Sequence, residues 1–511
     1  MKINIKNNYV NLVIAGLALF NVILHLVVSC NLEYHRDELL YFSLGLHPGF
    51  GYATVPPLIG WTAWLMQNIF GYSLFAVRIF PAVIGGLMIF LVSATAKELG
   101  GSDYSRILAG IGLLTSGFAL RTFLLFQPVH IDLLFWTLSF YLIVRYINTS
   151  SGKYLILFGI TAGVALLNKY LIGLLFLILL IIIPFTQYRN VFRTKKFWYG
   201  ILAGSVIFLP NLIWQAVSGL PVINHLAELS RTQLVNVDRL AFLRDQLVIP
   251  FAASILTVAG IIYLFINKNA RKFRFLGLVL LSVIITLMIL QGKSYYTIGI
   301  FPFLIAAGAV AWEKLLRKNW LKILLPVLIM ILAIPVVPIG IPIYKTERLI
   351  KYFNYLIVKY RMDFVNRFED GSIHSLPQDY ADMLGWEELT IITNKAWQRV
   401  PDKKAAFIYC ENYGQAGAIT VIGKKYGLPE AVSFNESFKY WIPEQFNPDI
   451  KSFIYINDEL GEDVDSLFKK ITRIGSIQNP DAREFGTTVY LCEEPAESFN
   501  KFWKERIKEI D

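Results

Sequence analysis

The sequence predicts an α-helical polytopic membrane protein with a C-terminal α/β domain outside the membrane. Its 511 residues are 55% hydrophobic and only 17% charged, a composition that excludes an ordinary soluble domain and a disordered chain. Long apolar runs follow one another up to about Ile343. Beyond that residue the apolar runs are short and separated by polar residues, as in a water-soluble domain.

About eleven apolar runs are interpreted as transmembrane helices, each of which needs roughly 20 apolar residues to cross a bilayer. They lie at 9–30, 76–96, 106–126, 131–147, 154–168, 170–186, 198–217, 247–266, 275–290, 296–312 and 320–342. The fifth and sixth runs form one apolar stretch that only Asn168-Lys169-Tyr170 interrupts. Because a lysine within lipid is costly, we place a boundary between two helices there.

The chain therefore divides into a membrane domain, 1–344, and an extracytoplasmic domain, 345–511. The first outer loop, 31–75, contains the segment PPLIGWTAWLMQNIF, which is too short to span. Its aromatic residues favour the level of the lipid headgroups, so we predict a helix that lies along the membrane surface. A second polar loop, 218–246, is predicted to be partly helical.

The distribution of basic residues predicts the orientation. Lysine and arginine are more numerous in the loops on the side of the N-terminus than in the opposite loops, and such loops normally face the cytoplasm. We therefore expect a multi-pass protein of the cytoplasmic membrane, with a cytoplasmic N-terminus and a periplasmic or extracellular C-terminal domain. The same distribution explains the net charge of +11 without a nucleic-acid partner.

The C-terminal domain shows a mixed pattern. An amphipathic helix is expected after Ile343, and another helix at 412–426. The runs AAFIYC, KSFIYIND and GTTVYLC are typical of short β-strands. The glycine-containing stretch YGQAGAITVIGKKYG does not match a phosphate-binding loop, so the sequence gives no support for nucleotide binding.

The three cysteines do not form a disulfide framework or a CxxC metal motif. Cys410 and Cys492 each end a strand-like run, and Cys30 follows the first apolar run. The two strand cysteines can pair if their strands are neighbours, but two free thiols are favoured.

Polar residues gather at the outer ends of the predicted spans. They are Asp37, Glu38, Arg78, His130, Asp132, Lys169, Lys293, Tyr295 and Tyr296. Carboxylates that face lysines at one membrane surface suggest a general acid or base beside a site for an anion such as phosphate. The alternative is that each charge is only a solvated residue at a helix end, and this alternative is strongest for Glu38 and His130.

A metal site is a further alternative. His35, His47, His130 and Asp37 offer ligand atoms that a divalent metal ion accepts, but no HxxxH spacing supports such a site. A divalent ion therefore stays open as a cofactor, and its ligands stay unknown.

Five segments resemble, in order, a known family. DELLYF…PPLIGW, FGYSLFAVR, VHIDLLFW, LLNKYLIGL and GKSYYTIGIFP are similar to segments of glycosyltransferases of the GT-C superfamily, family 39-like. That group includes bacterial aminoarabinose transferases of lipid A and the protein O-mannosyltransferases. The resemblance covers roughly residues 10–345 and implies a polytopic GT-C fold. The C-terminal segment NYGQAGAI…YGLPEAVSFNESFKYW also resembles the tail domain of some bacterial members.

The resemblance implies roles for particular residues. Asp37 matches the essential aspartate of the first loop, with Glu38 after it, and Asp132 matches a second aspartate. Arg78 matches an arginine that opens the second span, and Lys169 matches a lysine at the boundary of the fifth and sixth spans. Lys293 with either Tyr295 or Tyr296 matches a lysine–tyrosine segment near the lipid phosphate, so all of these are expected to bind the substrate or its phosphate. The chain departs from the aminoarabinose transferases in ATVPPL, where Thr54-Val55 stand in place of an acidic residue. A metal ligand at that position is therefore in doubt.

The function implied is transfer of a sugar from a polyprenyl-phosphate donor to an envelope acceptor, with inversion at the anomeric carbon. The acceptor class is a lipid, a glycan or a protein. One alternative is a transporter or flippase of a lipid-linked substrate, but transporters favour midplane sites in repeated halves. Another is a non-catalytic assembly or receptor protein whose C-terminal domain is the binding module.

Overall fold

The computed structural model describes residues 5–232 and 234–508. The chain forms two compact units, and each contains several segments of the sequence. The first contains the described residues up to Val28, then Gly49–Ile59 and Arg78–Ile341. The second contains Ser29–Pro48, Gly60–Val77 and the described residues from Pro342 onwards. Two parts of the first outer loop therefore fold with the C-terminal residues, which the sequence did not predict.

The N-terminal two thirds of the chain are helical. In chain order the helices are α1 (Ile5–Val28), α2 (Arg36–Ser43), α3 (Leu58–Phe70), α4 (Leu74–Glu98), α5 (Asp103–Leu114), α6 (Gly117–Thr122), α7 (Pro128–Thr149), α8 (Lys153–Leu166), α9 (Gly173–Ile182), α10 (Lys195–Val217), α11 (Pro221–Thr232), α12 (Arg239–Val248), α13 (Ser254–Ile266), α14 (Arg274–Ile289), α15 (Phe301–Leu315), α16 (Asn319–Ala333) and α17 (Val337–Gly340). Several are joined by short 3-10 segments, among them Tyr170–Ile172 and Ser294–Ile300.

Most residues of each of the eleven predicted runs are helical, and the polytopic helical fold is confirmed. Within the described residues, seven helical stretches are long and apolar enough to cross a membrane, and a bent pair at 85°, α12 with the stretch Phe251–Ile266, makes an eighth. The other three runs differ from full spans for visible reasons. The run 106–126 is interrupted between α5 and α6, while α8 and the stretch Tyr170–Phe185 are shorter than a usual span.

Glycines allow the helices of the first unit to pack closely. Gly159 and Gly163 of α8 face Gly200 and Gly204 of α10, and a Cβ atom on Gly163 would lie 2.5 Å from the carbonyl oxygen of Gly204. Pairs of small residues four positions apart bring helix backbones together in membranes, where apolar side chains gain little by leaving lipid. The α8–α10 contact is therefore a backbone-to-backbone contact.

The predicted surface helix of the first loop is α3. Ile59, Ala63 and Met66 are buried on one side, whereas Trp64 and Ile69 are about half exposed on the other. Such an apolar exposed face is typical of a helix at a membrane surface. The second predicted loop contains α11 and α12, so its helical content is confirmed.

The C-terminal part of the second unit is an α/β structure. Its elements are α18 (Thr346–Tyr360), α19 (Gln378–Ala381), α20 (Trp386–Arg399), β1 (Ala406–Cys410), α21 (Tyr413–Val421), β2 (Ser452–Asn457), α22 (Glu462–Leu467), β3 (Phe468–Ser476), β4 (Thr488–Pro495) and α23 (Phe499–Lys508). The sheet order is β1-β2-β4-β3, with β1 parallel to β2 and the other pairs antiparallel. An aromatic core that includes Phe407, Phe453, Phe499 and Trp503 fills one side of the sheet.

The three predicted strands and the helix after Asn412 are confirmed. Cys410 and Cys492 are free and buried, and β2 separates their strands, so the prediction of free thiols is confirmed. The sequence prediction missed β3, an edge strand. Its exposed lysines and arginine are common on edge strands but interrupt the apolar pattern by which a strand is recognised. It also missed α20, which packs beneath the sheet.

Candidate functional site

The candidate site residues lie in both units. In the second unit, α2 begins with a capping box. The His35 side chain accepts a hydrogen bond from the Asp37 backbone N–H at 3.1 Å, and Glu38 accepts one from the His35 N–H at 2.8 Å. These bonds satisfy amide groups that a helix start otherwise leaves without partners. Glu38 is fully buried, and its carboxylate accepts the His35 N–H at the start of the helix.

Asp37 lies at the start of the same helix and is partly exposed. Its Oδ1 accepts a hydrogen bond from the Tyr413 hydroxyl at 3.0 Å. The Arg36 guanidinium lies 4.3 Å from the centre of the Tyr413 ring, a cation–π distance. Tyr413, which sequence reasoning missed as a site residue, is the first residue of α21. The only signal was the resemblance of its NYGQAGAI segment to the tail domain of related enzymes.

Charged residues surround the start of α2, and Asp382 is buried among them. Asp382 pairs with Arg483 at 3.2 Å, and Asp379 lies 3.8 Å from His35 Nε2. Burial raises the pKa of Asp382, while the charges of His35 and Arg483 oppose this rise and that of Asp37 adds to it. Burial likewise raises the pKa of Tyr413, and the Asp37 charge raises it further, so the hydroxyl keeps its proton.

The set that best fits a metal ion among the described residues is His35, Asp379 and Asp382, whose ligand atoms lie within 4.8 Å of one another. The cap of α2 opposes this use. Because His35 Nδ1 accepts the Asp37 N–H, the neutral ring carries its proton on Nε2, which faces Asp379 as a donor. Arg483 also occupies the Asp382 carboxylate. This set therefore does not fit a metal ion well.

The other predicted metal ligands lie in different surroundings. His47 Nε2 is 2.8 Å from Glu430, and its ring stacks on Trp441 at a centroid distance of 4.1 Å. His130 belongs to the first unit, where it is buried between the rings of Phe80 and Phe126. Both histidines have packing roles that explain their positions.

In the first unit, the turn after α8 places Lys169 beside the start of α7. Asn168 is fully buried, and its side-chain amide donates to the carbonyl of Pro128 at 2.9 Å. This bond ties the turn to the first residue of α7, one turn before Asp132. Lys169 is close enough to Asp132 for their charges to interact. The sequence-predicted pairing of a carboxylate with a lysine is therefore present within this unit.

Two tyrosines complete this group. The Lys169 ammonium lies 5.5 Å from the ring centre of Tyr296 and 5.9 Å from that of Tyr295. Their 3-10 segment is anchored by α12, since Ser294 donates to Asp245 at 2.8 Å and Thr297 donates to Gln246 at 2.7 Å.

Asp132 is buried, and its Oδ1 has no hydrogen-bond partner among the described residues. A buried carboxylate oxygen without a partner is costly unless a ligand supplies one. Arg78, at the start of the first unit's part of α4, is fully buried, and Lys293 is half-buried directly before the tyrosine segment. The first unit thus brings together Asp132, Lys169, Tyr295 and Tyr296. The Asp132 carboxylate can accept hydrogen bonds from hydroxyl groups, and the Lys169 ammonium lies against the two tyrosine rings.

Comparisons with known proteins agree with these features. A family model described as dolichyl-phosphate-mannose-protein mannosyltransferase matches residues 54–214. The lipopolysaccharide core galacturonosyltransferase RgtA of Rhizobium johnstonii is 26% identical over 208 residues, which are 40% of this chain and 41% of that protein. The polyprenol-phosphate-mannose–protein mannosyltransferase of Corynebacterium glutamicum is 38% identical over 71 residues, 14% of each chain. The chain thus matches about two fifths of the length of the first relative.

A solved structure with a similar fold is ArnT from Cupriavidus metallidurans bound to undecaprenyl phosphate. The TM-score is 0.60 at 13% identity, covering 93% of this chain and 98% of ArnT. The chain is thus similar in sequence to parts of two glycosyltransferases and similar in fold to ArnT. The resemblance predicted from the sequence is confirmed, and so is the multi-pass GT-C fold.

Proposed function

We propose that this GT-C protein transfers a sugar from a polyprenyl-phosphate donor to an acceptor of the cell envelope, which is a lipid, a glycan or a protein. The similar fold of ArnT bound to undecaprenyl phosphate supports a lipid-phosphate donor. The names of the two curated relatives support transfer of a sugar, to a lipopolysaccharide core in one case and to protein in the other. Such a donor carries no nucleotide, which agrees with a sequence that has no phosphate-binding loop.

The observation that carries this proposal is the environment of Lys169. Its ammonium lies against two tyrosine rings, beside a buried aspartate, in a unit that is otherwise largely apolar. A lysine is retained in such surroundings at considerable cost, and a bound anion repays that cost. In our proposal Lys169 binds the donor phosphate and stabilises the charge that develops on it as the sugar leaves. Arg78 and Lys293 are proposed to assist.

Asp37 is proposed as the general base. Its carboxylate accepts the proton of the acceptor hydroxyl or amine, and the acceptor atom attacks the anomeric carbon. The bond from that carbon to the phosphate oxygen breaks, and polyprenyl phosphate leaves with the bonding electrons. Attack opposite the leaving group inverts the configuration. Asp132 is the competing candidate for the base, and Glu38 supports α2.

The reaction is proposed for the outer face of the cytoplasmic membrane, with the N-terminus in the cytoplasm. The bias of basic residues supports this orientation.

Purified protein in proteoliposomes, given polyprenyl-phosphate sugars and envelope lipids from its own cells, tests the proposal. We expect free polyprenyl phosphate and an equal amount of transferred sugar, and cells without the protein should lack that sugar in mass spectra of their envelope glycans. Movement of intact lipid-linked sugar across the bilayer without transfer would instead indicate a flippase.

A further inference from the structure

The C-terminal segment of the chain contacts the proposed general base directly. The Tyr413 hydroxyl donates to Asp37 Oδ1 at 3.0 Å, and its ring lies under the guanidinium of Arg36, the neighbour of Asp37. Both contacts lie within the second unit. One tyrosine therefore touches two consecutive residues at the start of α2.

The position of Tyr413 is fixed by the start of its own helix. Asn412 accepts from the backbone N–H groups of Gly414 and Gln415 at 2.9 and 3.1 Å, and Gln415 completes a capping box. Glu484 accepts from the side chains of Asn412 and Gln415 at 3.1 and 2.9 Å. Because caps and a carboxylate hold the first turn of α21, Tyr413 starts from a rigid backbone.

Two glycines bring α21 against α2. A Cβ atom on Gly417 would lie 2.8 Å from the Cβ of Leu39 and 2.9 Å from its carbonyl carbon. A Cβ atom on Gly414 would lie 2.8 Å from Cγ of Arg36 and 2.8 Å from the ring of Trp386. Real Cβ atoms essentially never come this close to backbone, so the packing of the two helices requires glycine at 417.

From these contacts we propose that Tyr413 is a positioning residue for Asp37, so that the C-terminal segment takes part in the acid–base step. This inference rests on the proposed function, in which Asp37 removes the proton of the acceptor. A hydroxyl that donates to one carboxylate oxygen fixes the rotation of the carboxylate, and a general base works only in a narrow range of positions. The C-terminal segment is then part of the reaction centre.

The full-length Tyr413→Phe protein tests this role, because it loses only the hydroxyl. We expect kcat to fall about 10-fold while KM for the donor stays within about twofold, since the base is misplaced but the phosphate contacts are kept. Tyr455→Phe is the matched control. Its hydroxyl accepts from Asn457 at 3.1 Å in the same C-terminal structure, and kcat should not change.

A double-mutant cycle shows whether Tyr413 acts through Asp37. In the Asp37→Asn protein there is no base to position, so adding Tyr413→Phe should cost less than about twofold in kcat. A further 10-fold loss in that background, or an unchanged kcat for the single Tyr413→Phe protein, would overturn the proposal.

A second double-mutant cycle, measured by thermal unfolding, tests this inference separately from the proposed function. The fall in Tm caused by Tyr413→Phe should disappear in the Asp37→Ala background if the two side chains interact. Coupled Tm values with no sugar transfer by the wild-type protein would refute the proposed function and leave the contact in place. Uncoupled Tm values in an active wild-type protein would refute the contact alone.

Discussion

Two neighbouring carboxylates at the start of α2 have different surroundings, and this difference assigns their roles at the scale of single residues. Glu38 is fully buried and caps the helix, whereas Asp37 is partly exposed and contacts Tyr413. The sequence could identify the acidic pair but not divide the work between its members. The two roles can be told apart only when His35 is known to be the N-cap of a helix. Glu38 is then the third residue of that helix, the position whose side chain completes a capping box.

The cap predicts how substitutions at Glu38 behave. Glutamine also completes a capping box, so Glu38→Gln should keep both Tm and turnover near their wild-type values. Glu38→Ala removes the acceptor for the His35 N–H and should lower the free energy of unfolding by about 1 kcal/mol. Thermal unfolding and transfer assays on the two proteins check this. If Glu38→Gln stopped turnover while folding normally, Glu38 would be the base.

The role of Lys169 is tested by removing its charge at nearly constant volume. Lys169→Met should weaken the binding of polyprenyl phosphate on the order of 10-fold or more, because a charged contact in apolar surroundings is lost. Lys153→Met is the matched control, since Lys153 also lies over a tyrosine ring, that of Tyr154, but is exposed. Equal affinity of the wild-type and Lys169→Met proteins, measured by equilibrium binding, would refute the phosphate contact.

At the scale of elements, glycine pairs decide which helices pack most closely. The sequence predicted the apolar runs of α8 and α10 from hydropathy, but hydropathy carries no information on partners. The pairing appears only when Gly159 and Gly163 are seen opposite Gly200 and Gly204. The apolar runs of β1, β2 and β4 were also predicted from local pattern, while β3 was missed because exposed lysine and arginine residues interrupt its apolar residues.

The glycine contact predicts a position-specific loss of stability. Gly163→Ala adds a methyl group against the backbone of α10 and should lower Tm by several degrees, since overpacking typically costs 1–3 kcal/mol. Gly16→Ala is the control, because a Cβ atom there would meet nothing within 4 Å and alanine favours a helix. A Tm for Gly163→Ala equal to that of Gly16→Ala would mean that the two helices can move apart freely.

At the scale of the whole molecule, the sequence predicted the class of fold but not the folding of the first loop with the C-terminal residues. The fold class could be predicted because membrane spans follow from local composition. The family resemblance covered roughly residues 10–345, so it supported the same prediction for the membrane domain. The contact between Asp37 and Tyr413 joins positions separated by 376 residues, and no local pattern reports such a distance. The sequence therefore named Asp37, Asp132, Lys169 and the two tyrosines as candidates, but it did not name Tyr413, whose hydroxyl donates to Asp37.

Orientation is a property of the whole chain and can be tested directly. A periplasmic reporter enzyme fused after the C-terminal residue should be active, whereas one fused near Lys195 should be inactive, because the proposed orientation places the basic loops in the cytoplasm. Activity of the fusion near Lys195 would reverse the orientation and place the proposed reaction on the cytoplasmic side.

The turnover of Asp37→Asn tests the central claim most directly. Asparagine keeps the size of the side chain and an acceptor for the Tyr413 hydroxyl but cannot take up a proton. In proteoliposomes supplied with polyprenyl-phosphate sugars and envelope lipids, we predict that turnover falls 10²–10⁴-fold, on the order expected for loss of a general base, while donor binding is retained. Near-normal turnover of Asp37→Asn, beside a folded but inactive Asp132→Asn protein, would contradict this and transfer the role of base to Asp132.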